Sequence, residues 1–203
     1  FSAVSIGTET MLLRQRAAIQ DFGYNSVGVI VAKGAKVEHL QLGERVACYG
    51  VPAHAEYRIA SKFLAIPVPE HVAAEEAVFV GLGAIAIHAL RQSELRFGES
   101  LIVAGLGMLG QIIAQIAEAA ALRVIGVDLL LDRRQSLQEV KPGAAISQDP
   151  AAVLKAWGHS GVDSVLVCAG GEEDTLLNQA INWVRFRGNV VIVGVPNTSF
   201  DRN

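Results

Sequence analysis

The chain has 203 residues, a formal net charge of −3 and an isoelectric point near 6.0. Its slight excess of acidic residues and its lack of a Lys/Arg-rich run argue against nucleic acid as a partner. Hydrophobic residues make up 51% of the chain, enough for a sizeable core. Because Cys48 and Cys168 form no C-x-x-C pair, neither a structural zinc site nor a disulfide framework is predicted, and we expect a reducing, cytoplasmic setting.

A membrane span is one alternative that the hydropathy raises, since residues 100–117 carry no charge and the mean hydropathy of the chain is +0.37. The stretch nevertheless contains three glycines and the amides of Gln111 and Gln115. A strand, a turn and a helix explain those glycines, whereas a spanning helix does not. We therefore expect no membrane partner.

The first seventy residues are predicted to be β structure. Short β-rich runs at 27–32, 45–50 and 55–60 are separated by glycines and by Pro52, a pattern typical of a small barrel or sandwich. After Pro69 the chain becomes rich in Ala and Glu, which favours helix up to about residue 92.

From Leu101 onward, strands and helices alternate. Helices are predicted at 108–121, from about 133, at 150–156 and at 174–186, and strands at 101–104, 123–128, 144–147, 163–170 and 189–195. The strands are apolar throughout, as expected when helices cover both faces of a sheet. Five such strands predict an α/β fold with a doubly wound parallel sheet of the Rossmann type, preceded by the separate β domain.

The sequence GLGMLG, residues 105–110, lies between the first of these strands and its helix. In a dinucleotide-binding turn, Gly105 permits the tight bend, Gly107 lets the backbone approach a pyrophosphate, and Gly110 lets the helix pack on the strand. The helix N-terminus at Met108 and Leu109 would offer free N–H groups and a partial positive charge to phosphate. The alternative is a plain α/β turn without a ligand.

Asp128 follows the next strand and lies 18 residues after Gly110. Its carboxylate can accept hydrogen bonds from the adenosine ribose hydroxyls and would repel a 2′-phosphate, which favours NAD(H) over NADP(H). Arg133 and Arg134 work against this preference, since either guanidinium is able to receive a phosphate.

The chain as a whole resembles a medium-chain dehydrogenase/reductase, the superfamily of zinc alcohol dehydrogenases and their zinc-free relatives. The segments that carry the resemblance are GERVACYG, HAEY, EEAVFVGLGAIAIHALR, GESLIVAGLGMLG, VIGVD and VVIVGVP. The resemblance implies a GroES-like β domain at residues 1–75, and a linking helix with an NAD-binding Rossmann domain at residues 76–203. It also implies that both domains are incomplete, because family members begin earlier and continue into a sixth Rossmann strand, and that the full-length protein is a homodimer or homotetramer.

The sequence departs from the zinc-binding members at the ligand positions. Ile6 in IGTE takes the place of a cysteine, Tyr24 in GYN that of a histidine, and Val80 that of the third ligand. Aliphatic carbon does not ligate zinc, and a phenol is unusual beside the expected nitrogen and sulfur ligands. We therefore predict no metal, and a place in the zinc-free branch that resembles the bi-domain oxidoreductases.

Without zinc, hydrogen-bond donors must stabilise the oxygen on which charge develops during hydride transfer. The resemblance assigns this role to Thr8, and Tyr24 at the former ligand position is a second candidate. As alternatives, Thr8 bonds only its own turn, and Tyr24 only fills the space of the metal. Glu9 replaces an acid that orients a zinc ligand, and without zinc it is expected to have nothing to orient. The resemblance also places the backbone of Val193 and Val195 at the nicotinamide carboxamide, and Ala169 and Gly170 near the cofactor ribose.

The function predicted is that of a zinc-independent, NAD(H)-dependent oxidoreductase that transfers a hydride between nicotinamide and a small alcohol or carbonyl substrate. Two alternatives stay open. One is a quinone- or enoyl-type reductase of C=C bonds. The other is a nucleotide-binding module that has lost catalysis.

Overall fold

A computed structural model of the chain describes residues 1–14, 22–50, 52–169 and 175–193. It divides the chain into two compact units, Phe1–Ala84 and Ile85–Asn203. Among the described residues, no helix is both long enough and apolar enough to cross a bilayer.

The first unit is built on a four-stranded antiparallel sheet with the order β1-β2-β3-β4. Its elements are β1 (Ser2–Ala3), α1 (Ile6–Arg14), β2 (Asn25–Val29), β3 (Arg45–Tyr49), β4 (Ala65–Pro67), α2 (Ala74–Ala77) and the start of α3 (Val80–Gln92). In β3, Cys48 pairs with Ser26 of β2 on one side and with Ala65 of β4 on the other. Two small apolar clusters hold this unit, one around Val27 and Ala47 and the other around Leu40 and Val46.

Two predictions for this unit are wrong. Residues 55–60 form no strand: Tyr57 and Ile59 are 71% and 95% exposed, so their alternating pattern has no core face to bury. Helix α1 stands within the segment predicted to be β, and at its start the backbone N–H of Ser5 donates to Glu9 Oε1 at 2.9 Å.

The second unit confirms the predicted alternation of strands and helices. After the end of α3, its elements are β5 (Ser100–Ala104), α4 (Met108–Ala119), β6 (Arg123–Val127), α5 (Leu131–Val140), β7 (Ala145–Ser147), α6 (Ala151–Ala156), β8 (Val162–Val167), α7 (Thr175–Trp183) and β9 (Val184–Ile192). The sheet has the order β7-β6-β5-β8-β9, and all of its pairings are parallel. This is the doubly wound arrangement, in which the strand order reverses on either side of β5.

Strand β5 is buried along its whole length because helices cover both of its faces. Leu101 and Val103 pack with α3, α4 and Leu137 of α5, whereas Ile102 and Ala104 pack with Leu154 of α6 and Ala180 of α7. This double burial explains why the strand is apolar at each successive position from Leu101 to Ala104 rather than at alternate ones.

The last helix is shorter and the last strand longer than predicted. The helix ends at Trp183, and β9 begins at Val184, where VRF is a better strand former than helix former. A bulge interrupts the pairing of β8 with β9 near Val162 and Ser164, and Arg187 has a positive φ of 64° there.

Candidate functional site

The glycine-rich turn joins the carboxyl end of β5 to α4, and its glycines differ in their surroundings. Gly105 has a φ of +101°, and a Cβ there would lie 2.6 Å from the backbone nitrogen of Ala169. A Cβ on Gly110 would lie 1.9 Å from the carbonyl oxygen of Gly105. Neither position therefore accepts a side chain.

Gly107 is different because a Cβ built there meets no atom within 4 Å. Its φ of −68° and ψ of −174° are open to any residue. Gly107 is the N-cap of α4 and provides no side-chain cap, so the N–H groups of the first helical turn, at Met108 and Leu109, have no partner from it. The turn thus leaves open space beside free donors at a helix N-terminus, which fits a pyrophosphate.

Asp128 is 8% exposed and organises the segment after β6. The backbone N–H of Leu106 donates to its Oδ2 at 2.8 Å, and that of Leu130 to its Oδ1 at 2.8 Å. A guanidinium nitrogen of Arg133 lies 3.4 Å from Oδ2, and Arg134 donates to the backbone oxygen of Asp128. Oδ1 accepts only the bond from Leu130 and can accept a further one, so the predicted contact with a ribose hydroxyl is compatible with these partners.

Other predicted cofactor residues lie at the same edge of the sheet. The N–H of Ala169 donates to the Ala104 carbonyl at 3.2 Å, and that of Val193 donates to the Val167 carbonyl at 2.8 Å. Gly170 and Val195 lie outside the described residues. Cys168 is no nucleophile here, since burial raises its thiol pKa to about 12.

The predicted catalytic residues belong to the first unit. Thr8 lies on the first turn of α1, where its Oγ1 accepts a hydrogen bond from the Ser5 hydroxyl at 3.4 Å. The ring of Tyr24 packs edge-to-face on Tyr49, with 5.5 Å between centroids. Burial and the neighbouring Tyr24 raise the pKa of Tyr49. Among the described residues no hydrogen bond joins Thr8 to Tyr24.

Glu9 has a partner that the sequence did not reveal. Its Oε2 lies 3.1 Å from Nε2 of His54, whose Nδ1 lies 2.8 Å from the Ser2 hydroxyl. The carboxylate of Glu9 is nearly buried and also receives the Ser5 N–H. The expectation that Glu9 has nothing to orient is therefore wrong, because it holds His54.

The former zinc positions do not fit a zinc ion. Ile6 is 72% exposed, Val80 is aliphatic, and the phenol of Tyr24 is an unusual zinc ligand beside nitrogen and sulfur donors. In the part of the chain that the structure describes, no three His, Cys, Asp or Glu side chains cluster as metal ligands would. The buried Asn25, which follows Tyr24, has an Oδ1 without a hydrogen-bond partner.

Comparison with known proteins gives the chain's relatives. Residues 109–201 match the family model described as zinc-binding dehydrogenase. An uncharacterized zinc-type alcohol dehydrogenase-like protein, YphC of Escherichia coli (strain K12), is 26% identical over 210 residues, covering 85% of this chain and 58% of its own length. This chain therefore spans less than two thirds of that relative.

Two solved structures share the fold. The alcohol dehydrogenase TADH from Thermus sp. ATN1 superposes with a TM-score of 0.82 at 24% identity, covering 95% of this chain and 67% of that one. A zinc-binding dehydrogenase from Sinorhizobium meliloti 1021, bound to NADP, gives a TM-score of 0.81 at 22% identity, covering 98% of this chain and 69% of that one. The sheet order and the turn define a doubly wound α/β protein of the Rossmann type. Together with the matching family model, these relatives show that the chain is similar to zinc-type alcohol dehydrogenase-like proteins, as its motifs predicted.

Proposed function

We propose that this chain binds NAD(H) at the GLGMLG turn and belongs to a zinc-independent oxidoreductase that acts on a small alcohol or carbonyl substrate. The observation that carries the proposal is the contrast between Gly107 and its neighbours. Packing requires Gly105 and Gly110, whereas nothing in the fold requires Gly107. A glycine that the fold does not need, beside an uncapped helix N-terminus, is best explained by a ligand that approaches the backbone.

In this proposal the N–H groups at the start of α4 hold the pyrophosphate, and Asp128 accepts from the adenosine ribose. The backbone at Val193 and Val195 meets the nicotinamide carboxamide, and Ala169 and Gly170 lie near the cofactor ribose. When bound, the cofactor supplies or accepts the hydride. The residues of the chain bind and orient it, and they provide the proton that the substrate oxygen needs.

The preference for NAD(H) rests on the buried negative charge of Asp128. A 2′-phosphate would meet that carboxylate, although Arg133 at 3.4 Å offsets part of its charge. The neighbour with bound NADP has the same fold, so the fold alone does not decide between the two cofactors.

Thr8 and Tyr24 are proposed as the groups that face the substrate oxygen. Because Thr8 Oγ1 accepts from Ser5, its own hydroxyl proton stays available for donation. Glu9 and His54 are proposed to fix the first turn of α1, and with it the position of Thr8. Thr8→Val and Tyr24→Phe remove one hydroxyl each and should lower kcat while leaving the Kd for NADH unchanged.

The test is a fluorescence titration of the chain with NADH and NADPH, followed by turnover on ketones, alcohols and enones. We expect tighter binding of NADH, and Asp128→Asn should shift the ratio of the two Kd values toward NADPH by about tenfold, on the order of 1.4 kcal/mol. Tighter binding of NADPH by the unmodified chain would overturn the cofactor assignment. Turnover of enones alone would establish the C=C reductase, and binding without turnover would establish the non-catalytic module.

A further inference from the structure

Gln111 is the first residue after the glycine motif, and its side chain reaches back over the turn. Its amide nitrogen, Nε2, donates to the Leu106 carbonyl at 3.3 Å and to the Arg133 carbonyl at 2.8 Å. One side chain of α4 therefore bonds both the glycine-rich turn and the first turn of α5.

The first bond fixes the peptide that precedes Gly107. The N–H of Leu106 is held by Asp128, and its carbonyl is held by Gln111. The side chain of Leu106 is 1% exposed and packs near Gly126 of β6. A Cβ added to Gly126 would lie 3.0 Å from a methyl carbon of Leu106. Because C=O and N–H point in opposite directions across a trans peptide, holding the Leu106 carbonyl turns the Gly107 N–H away from Gln111.

The second bond fixes the segment that carries the charges next to Asp128. The guanidinium of Arg133 reaches the Asp128 carboxylate, and Arg134 donates to the carbonyl of Leu129 at 3.1 Å. In the proposed function these are the groups that a ribose hydroxyl or a 2′-phosphate would meet. The Arg133 backbone is thus anchored to the same amide that sets the orientation of the turn.

We infer that Gln111 is a positioning residue that couples the pyrophosphate end of the cofactor site to its ribose end. The inference rests on the proposed function. Without the two hydrogen bonds, the Gly107 N–H and the Arg133 segment each lose an anchor, so the site should bind more weakly and also discriminate less between NADH and NADPH. A residue that served the fold alone would change stability without changing that discrimination.

The test compares Gln111→Met, which keeps the length of the side chain but has no donor, with Gln115→Met as the matched control. Gln115 is on α4, one turn later, and also half-buried. We expect Gln111→Met to weaken NADH binding about tenfold and to reduce the ratio of the NADPH and NADH Kd values at least threefold. Gln115→Met should leave both quantities unchanged. Binding is followed by cofactor fluorescence and the folded state by thermal melting.

Two further variants guard against a folding failure. Gln111→Glu keeps the shape but sets a carboxylate against two carbonyls, so it should weaken binding more than Gln111→Met does. Gln111→Asn keeps the amide on a shorter side chain and should recover part of the affinity. Variants that melt lower but keep the unmodified Kd values and ratio overturn the inference alone. An unmodified chain that binds neither NADH nor NADPH overturns the proposed function instead.

Discussion

At the residue scale, the glycines of the β5–α4 turn separate what the fold requires from what a ligand requires. Gly110→Ala should lower the free energy of unfolding by about 3 kcal/mol, because its methyl group would overlap a backbone oxygen that cannot move aside. Gly107→Ala should cost under about 1 kcal/mol, since its methyl group enters open space at an N-cap with ordinary dihedral angles. The same Gly107→Ala change should abolish NADH binding, because that space is the proposed pyrophosphate position.

Urea unfolding and NADH titration of the two variants measure both effects. Each variant is the other's control, since they add the same methyl group three residues apart in one turn. A Gly107→Ala chain that binds NADH as tightly as the unmodified chain would place the cofactor elsewhere, whatever the stability of Gly110→Ala.

At the element scale, the sequence predicted the second unit better than the first for a physical reason. Strands buried on both faces carry uninterrupted apolar runs, such as residues 101–104 of β5 and 165–167 of β8, and these runs stand out in the sequence. In the first unit Tyr57 and Ile59 face outward, and α1 begins with a Ser5–Glu9 contact that a search for β patterns overlooks. Alternating apolar and polar residues predict a strand only where a core is present to bury the apolar face.

The candidate site likewise contains residues that the sequence predicts and residues that it does not. Gly105, Gly107 and Gly110 were predictable because the spacing itself carries the chemistry. The Glu9–His54 pair was not, because 45 residues separate its members and nothing local joins them. Gln111 was missed because its partners are backbone carbonyls, which leave no mark in a sequence.

Asp163 allows a prediction about how three strands are held together. This residue of β8 accepts from the N–H and hydroxyl of Ser100 on β5 at 2.7 and 2.6 Å, and from Arg185 on β9 at 2.6 Å. Burial alone would raise the pKa of the Asp163 carboxyl, but the bonds from Ser100 and Arg185 outweigh it and hold the pKa below its ordinary value. A lowered pKa in the folded state stabilises the protein above the ordinary pKa, and the contribution disappears as the pH falls through the folded value.

Asp163→Asn should therefore lower the free energy of unfolding by about 1–3 kcal/mol at pH 7. The difference from the unmodified chain should shrink as the pH falls below about 4. Urea unfolding at pH 7, 5, 4 and 3 measures this, with Glu139→Gln as a control that removes a carboxylate from an exposed position in the same unit. If the difference in the free energy of unfolding between Asp163→Asn and the unmodified chain stays constant down to pH 3, packing rather than ionisation explains it.

At the scale of the whole molecule, each unit has its own apolar core and its own fluorescent reporter. The two tryptophans of the chain, Trp157 and Trp183, belong to the second unit and pack into the cluster on the α6 and α7 face of the sheet. The three tyrosines, Tyr24, Tyr49 and Tyr57, belong to the first unit. Tryptophan emission therefore reports on unfolding of the second unit, which carries the glycine-rich turn. None of the three tyrosines lies in that unit.

A ligand that binds only the folded state stabilises the unit that holds it, by about 2.7 kcal/mol at a hundred times its Kd. Saturating NAD⁺ should thus raise the urea midpoint followed by tryptophan emission, and the oxidised cofactor does not absorb that emitted light. The matched control is Gly107→Ala, whose midpoint should not move with NAD⁺ because its fold is kept and its proposed phosphate position is filled. If NAD⁺ raises the midpoint equally in both proteins, it binds away from the turn. If NAD⁺ raises the urea midpoint of neither protein, the second unit lacks the cofactor site that its fold and its helix N-terminus predict.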